Sequence, residues 1–114
     1  MAKRILCVSY DGSLLRTRKM LLEDAGYEVV KAEGLLRAMS ACMAQGPRFD
    51  LVILGHPITS QDTEQLISHI RATSRVPVLA LLRGCQSEVP GAARSIVSLD
   101  PSEFLKVVRE MLEP

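Results

Sequence analysis

Side chains that could do chemistry follow the predicted strands of this chain. Asp11 comes just after the first apolar run, His56 after the third and Asp100 after the fifth, while Arg83 and Cys85 follow the fourth. Because the carboxyl ends of parallel strands meet at one edge of a sheet, these side chains are predicted to lie at the same edge. They could hold a metal through carboxylate oxygen, carry phosphate on an imidazole, or supply a thiol activated by a neighbouring cation.

Each of these residues also has a structural interpretation. Asp11 can cap the first helix, His56 can be a solvated loop residue, and Cys85 can be an ordinary loop thiol. Asp100 opens the sequence Asp-Pro-Ser-Glu, which places Asp at the N-cap, Pro at N1 and Glu at N3 of a last helix. A second interpretation of Asp100 is an ion pair with Arg83 from the neighbouring strand end.

Five apolar runs alternate with helical patterns, and this order predicts an α/β fold. Strands are predicted at residues 4–9, 27–32, 50–54, 77–82 and 96–99, and only a short or irregular fourth helix fits between residues 84 and 94. Alternation of this kind implies a doubly wound parallel sheet covered on both faces. The flavodoxin-like strand order 2-1-3-4-5 is the natural solution at this length.

Length and composition point to one domain spanning residues 1–114. Hydrophobic residues make up 47% of the chain, the net charge is +1, and the cysteines number three. This balance gives no electrostatic reason for binding nucleic acid or a membrane, and three separated cysteines favour a reduced, cytoplasmic setting. No apolar segment approaches the roughly 20 residues that a bilayer span requires.

Helical spacing assigns faces to two of the helices. The basic run from Arg16 to Lys19 is predicted to lie on the solvated face of the first helix. Asp62, with Gln65 three residues on, resembles an N-cap pair for the third helix. The inward face of the first helix is predicted to carry Leu14, Leu21, Leu22 and Ala25.

Several segments resemble the receiver domain of bacterial response regulators, in the same order and spacing. They are residues 4–8, 21–29, 49–54, 70–71 and 76–79, together with Pro101 at the start of the last helix. The resemblance covers essentially the whole chain. It implies the CheY-like form of the flavodoxin-like fold and a role in two-component or phosphorelay signalling.

The resemblance also implies five reactive side chains, and all five are changed here. The two metal-binding acids fall on Ser9 and Tyr10, the phosphoacceptor aspartate on Gly55, the hydroxyl residue on Leu82 and the lysine on Asp100. A hard cation wants carboxylate oxygens, and glycine cannot be a nucleophile. The sequence therefore predicts a pseudo-receiver with no bound metal, no cofactor and no enzymatic activity.

The last helix is rich in apolar residues and is predicted to meet a partner. A helix packed on one side of a sheet needs only part of this set, so Val107 and Met111 in particular are expected to be exposed. Receiver domains commonly dimerise or bind partners through this region. The predicted interaction face comprises Phe104, Val107, Val108 and Met111, beside the fifth strand.

Three functions are compatible with these patterns. The first is a pseudo-receiver that acts through protein contact, with a protein partner or a second copy bound by the last helix. The second is an atypical phosphoacceptor that uses Asp11 for metal and His56 for phosphate. The third is a sensor of a small ligand or of redox state, with Arg83 or Cys85 as the contact. We favour the first, because the residues needed for phosphorylation are absent.

Overall fold

The computed structural model describes residues 3–43, 48–55, 60–82, 92–97 and 100–113. Their strands are β1 (Arg4–Ser9), β2 (Glu28–Glu33), β3 (Leu51–Leu54), β4 (Val78–Leu82) and β5 (Arg94–Val97). Their helices are α1 (Gly12–Asp24), α2 (Leu35–Met43), α3 (Ser60–Thr73) and α4 (Pro101–Leu112). Within these ranges no helix is both long enough and apolar enough to cross a membrane. The predicted irregular helix between β4 and β5 falls mostly outside them.

The strands form one parallel sheet in the order β2-β1-β3-β4-β5, which confirms the flavodoxin-like prediction. Apolar side chains occupy both faces of the central strands, as a sheet covered on both sides requires. In β1, Ile5 and Cys7 pack in the layer with α1 and α4, whereas Leu6 and Val8 pack in the layer with α2 and α3. The sheet is therefore the middle of three layers, and its carboxyl edge lies between the two helical layers.

Two elements begin more than one residue away from the position that the sequence predicted. β5 begins at Arg94 and not at Ile96, because its pairing with β4 starts where Leu79 lies beside Arg94. α3 begins at Ser60, so Asp62 lies in its first turn and the N-cap assignment was wrong. The turn after α1 confirms its prediction, since Gly26 has a φ of 99° and takes the left-handed conformation that favours glycine there.

The inward stripe of α1 matches its prediction only in part, since Leu22 and Ala25 pack in the core as expected but Leu15 takes the place of Leu14 and Leu21. Leu15 and Leu22 are buried, whereas Leu14 and Leu21 are only half-buried. Both leucine pairs are seven residues apart, so periodicity alone does not decide which pair faces the core. With Leu15 and Leu22 inward, Arg18 lies on the same stripe between them, and it is half-buried instead of solvated.

α4 buries most of its predicted interaction face, so this part of the prediction was wrong. Phe104, Val107 and Val108 are buried, and Met111 is half-buried against the same core. The four positions are spaced i, i+3, i+4 and i+7, which makes them one stripe facing the sheet and leaves no surplus. Leu105 lies beside this stripe and is half-buried.

Candidate functional site

The carboxyl ends of β1 and β3 lie side by side and bring Ser9 next to Gly55. The Gly55 backbone N–H donates to the Val8 carbonyl oxygen at 2.8 Å, and both Ser9 and Gly55 are buried. The Ser9 hydroxyl accepts the Asp11 backbone N–H at 3.1 Å. Ser9, which stands where receiver domains have the first metal-binding acid, is thus hydrogen bonded to the backbone that leads into α1.

The space beside Gly55 is filled by a side chain from α1. A Cβ atom at Gly55 would overlap the Nη1 atom of Arg18 and would lie 3.3 Å from the Val8 carbonyl oxygen. Glycine at this position therefore leaves room for the guanidinium group. Where the resemblance places the phosphoacceptor carboxylate, this chain has a cation.

The Arg18 guanidinium is partly desolvated. Burial lowers its pKa, while interaction with Cys7 and Asp11 acts in the opposite direction. Its Nη1 atom is buried and has no hydrogen-bond partner among the described residues. Desolvation without a hydrogen bond is unfavourable for a charged donor, so packing beside Gly55 holds this end of the side chain in place.

Asp11 and Asp100 both have the structural role that local sequence predicted for them. Asp11 is the N-cap of α1, and its Oδ1 atom accepts the backbone N–H groups of Ser13 and Leu14 at 2.9 and 3.2 Å. Asp100 is the N-cap of α4 and accepts the Ser102 N–H at 2.9 Å. These bonds satisfy amides that the first helical turn leaves free.

Tyr10, at the second predicted acid position, links β1 to the opposite helical layer. Its hydroxyl donates a hydrogen bond to the Asp62 carboxylate in the first turn of α3. Partial burial raises the Tyr10 pKa, and the bond to Asp62 raises it further. Its ring also approaches Gly34, at the turn between β2 and α2. At the carboxyl edge Tyr10 therefore contacts α3 of one helical layer, whereas Arg18 comes from α1 of the other layer.

The structure describes only some of the other predicted site residues. His56, Arg83 and Cys85 lie outside the described residues, so the predicted pair of Arg83 with Asp100 stays a prediction. Leu82 ends β4, as the alignment required. Among the residues that the structure describes, no three His, Cys, Asp or Glu side chains are grouped so that they could hold a metal ion.

Arg18 is the residue that sequence reasoning missed. It was assigned to the solvated face because it lies in a basic run, yet it follows Leu15 by three residues and precedes Leu22 by four. Those intervals place it on a potential inward stripe. A cation on such a stripe, together with glycine at the end of β3, is the signal that could have identified the pair.

Cys7 is expected to be unreactive in the folded protein despite the nearby guanidinium. Burial raises the Cys7 pKa to about 12, and the influence of Arg18 only partly opposes this. Because the folded pKa exceeds the ordinary value, the associated stability is full below about pH 9 and is lost as pH rises toward 12.

A thiol-exchange reagent at pH 8 checks this expectation. In a variant with Cys42→Ser and Cys85→Ser, Cys7 should react only at the rate of global unfolding. Urea should restore the full rate of an exposed thiol. Rapid labelling without urea, at a rate independent of stability, would show that burial does not control this thiol.

No family model matches the sequence. Over 86 residues the chain is 37% identical to the sensor protein GacS of Pseudomonas syringae pv. syringae. That match covers 70% of this chain and 9% of the sensor protein, so the chain spans only a small part of its relative's length.

Solved structures agree with the fold over nearly the whole chain. The response regulator TrrA from Thermotoga maritima, in complex with Mg²⁺ and BeF, has a TM-score of 0.83 and 23% identity, and covers 96% of this chain and 99% of that one. The chemotaxis protein CheY4 of Vibrio cholerae has a TM-score of 0.78 and 23% identity, and covers 98% and 100%. The chain therefore has the CheY-like receiver fold.

Proposed function

We propose that the chain is a pseudo-receiver, a signalling domain that keeps the receiver fold and acts by protein contact without being phosphorylated. The observation that carries the proposal is the Gly55–Arg18 pair. Glycine offers no nucleophile, and the guanidinium occupies the space that a Cβ atom would need. Phosphoryl transfer to position 55 by the receiver mechanism then has no acceptor.

The neighbouring side chains support the same proposal. Asp11 caps α1, and Tyr10 is hydrogen bonded to Asp62. A divalent metal here would have to compete with these bonds and with the positive charge of Arg18. We propose that the chain needs no metal or cofactor and is not an enzyme. The likeness to a bacterial sensor protein and to a solved two-component response regulator supports a role in bacterial two-component signalling, and we propose that the chain acts in the cytoplasm.

Contact with another protein would use the outward side of α4 with β5. A shallow groove of about 350 Å³ lies along α4. Arg94 of β5 reaches Glu110 of α4 at 3.1 Å, which joins the two elements at this surface. We propose a protein partner or a second copy at this face, and no direct binding to nucleic acid or membrane. The groove is lined by Ser102, Leu105, Lys106, Arg109, Glu110 and Glu113.

The proposal predicts that magnesium with beryllofluoride leaves the amide NMR spectrum unchanged. Beryllofluoride mimics a phosphoryl group on an acidic acceptor, and position 55 has no carboxylate to hold it. The measurement is a titration first with Mg²⁺ and then with beryllofluoride. Thermotoga maritima TrrA is the positive control, because its solved complex contains Mg²⁺ and BeF.

The amides to follow are those of Ser9, Tyr10, Gly55 and Asp100. Saturable shifts at these positions that require both Mg²⁺ and beryllofluoride would contradict the proposal. They would show that an acid elsewhere at the edge still accepts the phosphoryl mimic. A titration with sodium fluoride identifies the shifts that fluoride causes without beryllium.

A further inference from the structure

The Tyr10 hydroxyl group is hydrogen bonded to two helices of the same layer. It donates to the Asp62 carboxylate in the first turn of α3. Burial and this bond raise the pKa of Tyr10, whereas a hydrogen bond with the backbone of Leu35, the first residue of α2, lowers it. A bond lowers this pKa when it favours the charged phenolate, so the Leu35 N–H is the donor. The hydroxyl thus accepts a bond from α2 and donates one to α3.

The start of α2 has no capping side chain of its own. Gly34 precedes the helix with a φ of 94°, and its carbonyl oxygen accepts the Ala38 N–H at 3.1 Å, so Gly34 is the N-cap residue. Glycine offers no side-chain acceptor for the free N–H groups of the first turn. A Cβ atom at Gly34 would lie 3.9 Å from the Tyr10 ring, which therefore packs beside this turn. Tyr10 supplies, from the end of β1, the acceptor that position 34 lacks.

We propose that Tyr10 bridges the first turns of α2 and α3, so that opening of either turn promotes opening of the other. Both helices pack in the layer that contains Ala38, Leu66 and Ile70. Receiver domains have their second metal-binding acid at the position of Tyr10, whereas here a hydroxyl connects two helices without a metal. The bridge uses neither Gly55 nor a phosphoryl group, so it stands or falls separately from the proposed function.

The test is amide hydrogen exchange of the full chain at pH 7, followed by NMR. Tyr10→Phe keeps the ring beside Gly34 and removes the hydroxyl. The amides of Ala38 in α2 and Glu64 in α3 report opening of the two first turns. Both should exchange about tenfold faster, as expected for loss of hydrogen bonds that include a charged acceptor. Amides of the buried strand β1 report global unfolding, so the change is measured relative to theirs.

Tyr27→Phe is the matched control, because the chain has two tyrosines and both donate to a carboxylate. The Tyr27 hydroxyl donates to Glu113 at 3.1 Å, and its ring packs in the opposite layer, with α1 and α4. This variant loses a comparable bond at a distant place. Relative to β1, the amides of Ala38 and Glu64 should therefore keep their exchange rates.

Asp62→Ala distinguishes a bridge from two separate local effects. Loss of an acid from the first turn weakens α3 in any case, so the diagnostic amide is that of Ala38 in α2. It should exchange about threefold faster, because the Tyr10 hydroxyl loses the acceptor that fixes its position. In a Tyr10→Phe background the same substitution should leave the Ala38 rate unchanged. Asp62→Asn, which keeps the size of the side chain and an uncharged acceptor, should fall between Asp62→Ala and the unchanged chain.

Three results would each overturn the proposal. One is an Ala38 rate that neither substitution of Asp62 alters. Another is an equal acceleration by Asp62→Ala with and without the Tyr10 hydroxyl. The third is a faster rate at only one of the two helices in Tyr10→Phe, which would make the hydroxyl a local cap and not a bridge.

Discussion

Replacing Val108 with aspartate is expected to remove a large part of the stability of the domain. The Val108 side chain is fully buried in the layer that α4 shares with α1 and the sheet. An unpaired carboxylate at such a site should cost about 4 kcal/mol or more, a large part of the stability of a domain this size. Circular dichroism during urea titration measures the change in the free energy of unfolding.

Leu105→Asp is the matched control on the same helix. Leu105 is half-buried and lines the outward groove, so its replacement should cost about 1–2 kcal/mol and leave the domain folded. If both variants lost equal stability, the inward stripe of α4 would be wrongly placed. A Val108→Asp variant as stable as the unchanged chain would contradict the packing directly.

This contrast bears on the proposed partner face. Substituting Phe104, Val107 or Val108 would weaken any interaction through loss of the fold. Leu105→Asp separates the two effects, because it changes the groove and keeps the core. Under the proposal it should lower self-association or partner binding, measured by sedimentation, while the urea curve still shows a cooperative transition.

Gly55→Ala is expected to destabilise the domain by about 1 kcal/mol, a cost shared between the displaced end of Arg18 and the Val8 carbonyl oxygen. The new methyl group would overlap Nη1 of Arg18 and press on the Val8 carbonyl oxygen. The guanidinium would have to leave its place. In an Arg18→Ala background the same substitution should therefore cost about half as much, since the contact with the Val8 carbonyl oxygen remains.

A double-mutant cycle measured by urea unfolding gives this coupling. The control background is Arg16→Ala, which removes an exposed arginine of the same helix and should leave the cost of Gly55→Ala unchanged. Strictly additive effects of Arg18→Ala and Gly55→Ala would refute the contact. If Arg18→Ala and Arg16→Ala lowered the cost of Gly55→Ala equally, the charge of α1 would be the cause, and not the space that Arg18 occupies beside Gly55.

The parts of the structure that depend on local chemistry could be predicted from sequence. The caps at Asp11 and Asp100 follow from the residue type directly before each helix, and both side chains accept backbone N–H groups as expected. The parallel sheet followed from alternation of apolar runs with helices, because parallel strands need crossovers, and the strand order is the common one at this length. The degenerate alignment at Ser9, Tyr10 and Gly55 also placed these residues at one sheet edge.

The rotation of each helix about its axis could not be predicted in the same way. In α1 the pairs Leu14/Leu21 and Leu15/Leu22 have the same seven-residue spacing. They differ by a rotation of the helix of about 100°, the angle between neighbouring residues. That rotation decides whether Arg18 faces water or Gly55. In α4 the buried stripe includes Val107, which was expected to be exposed. Tyr10 and Asp62 are 52 positions apart, and no local pattern connects them.

The contact between Arg18 and Gly55 has a consequence for how such a chain can evolve. A single substitution that restored aspartate at position 55 would bring its Cβ atom onto the guanidinium and its carboxylate beside a cation. Metal-dependent chemistry would still lack the acids that Ser9 and Tyr10 have replaced. An acceptor at position 55 therefore takes several changes together: an acid at that position, a moved or replaced Arg18, and acids in place of Ser9 and Tyr10.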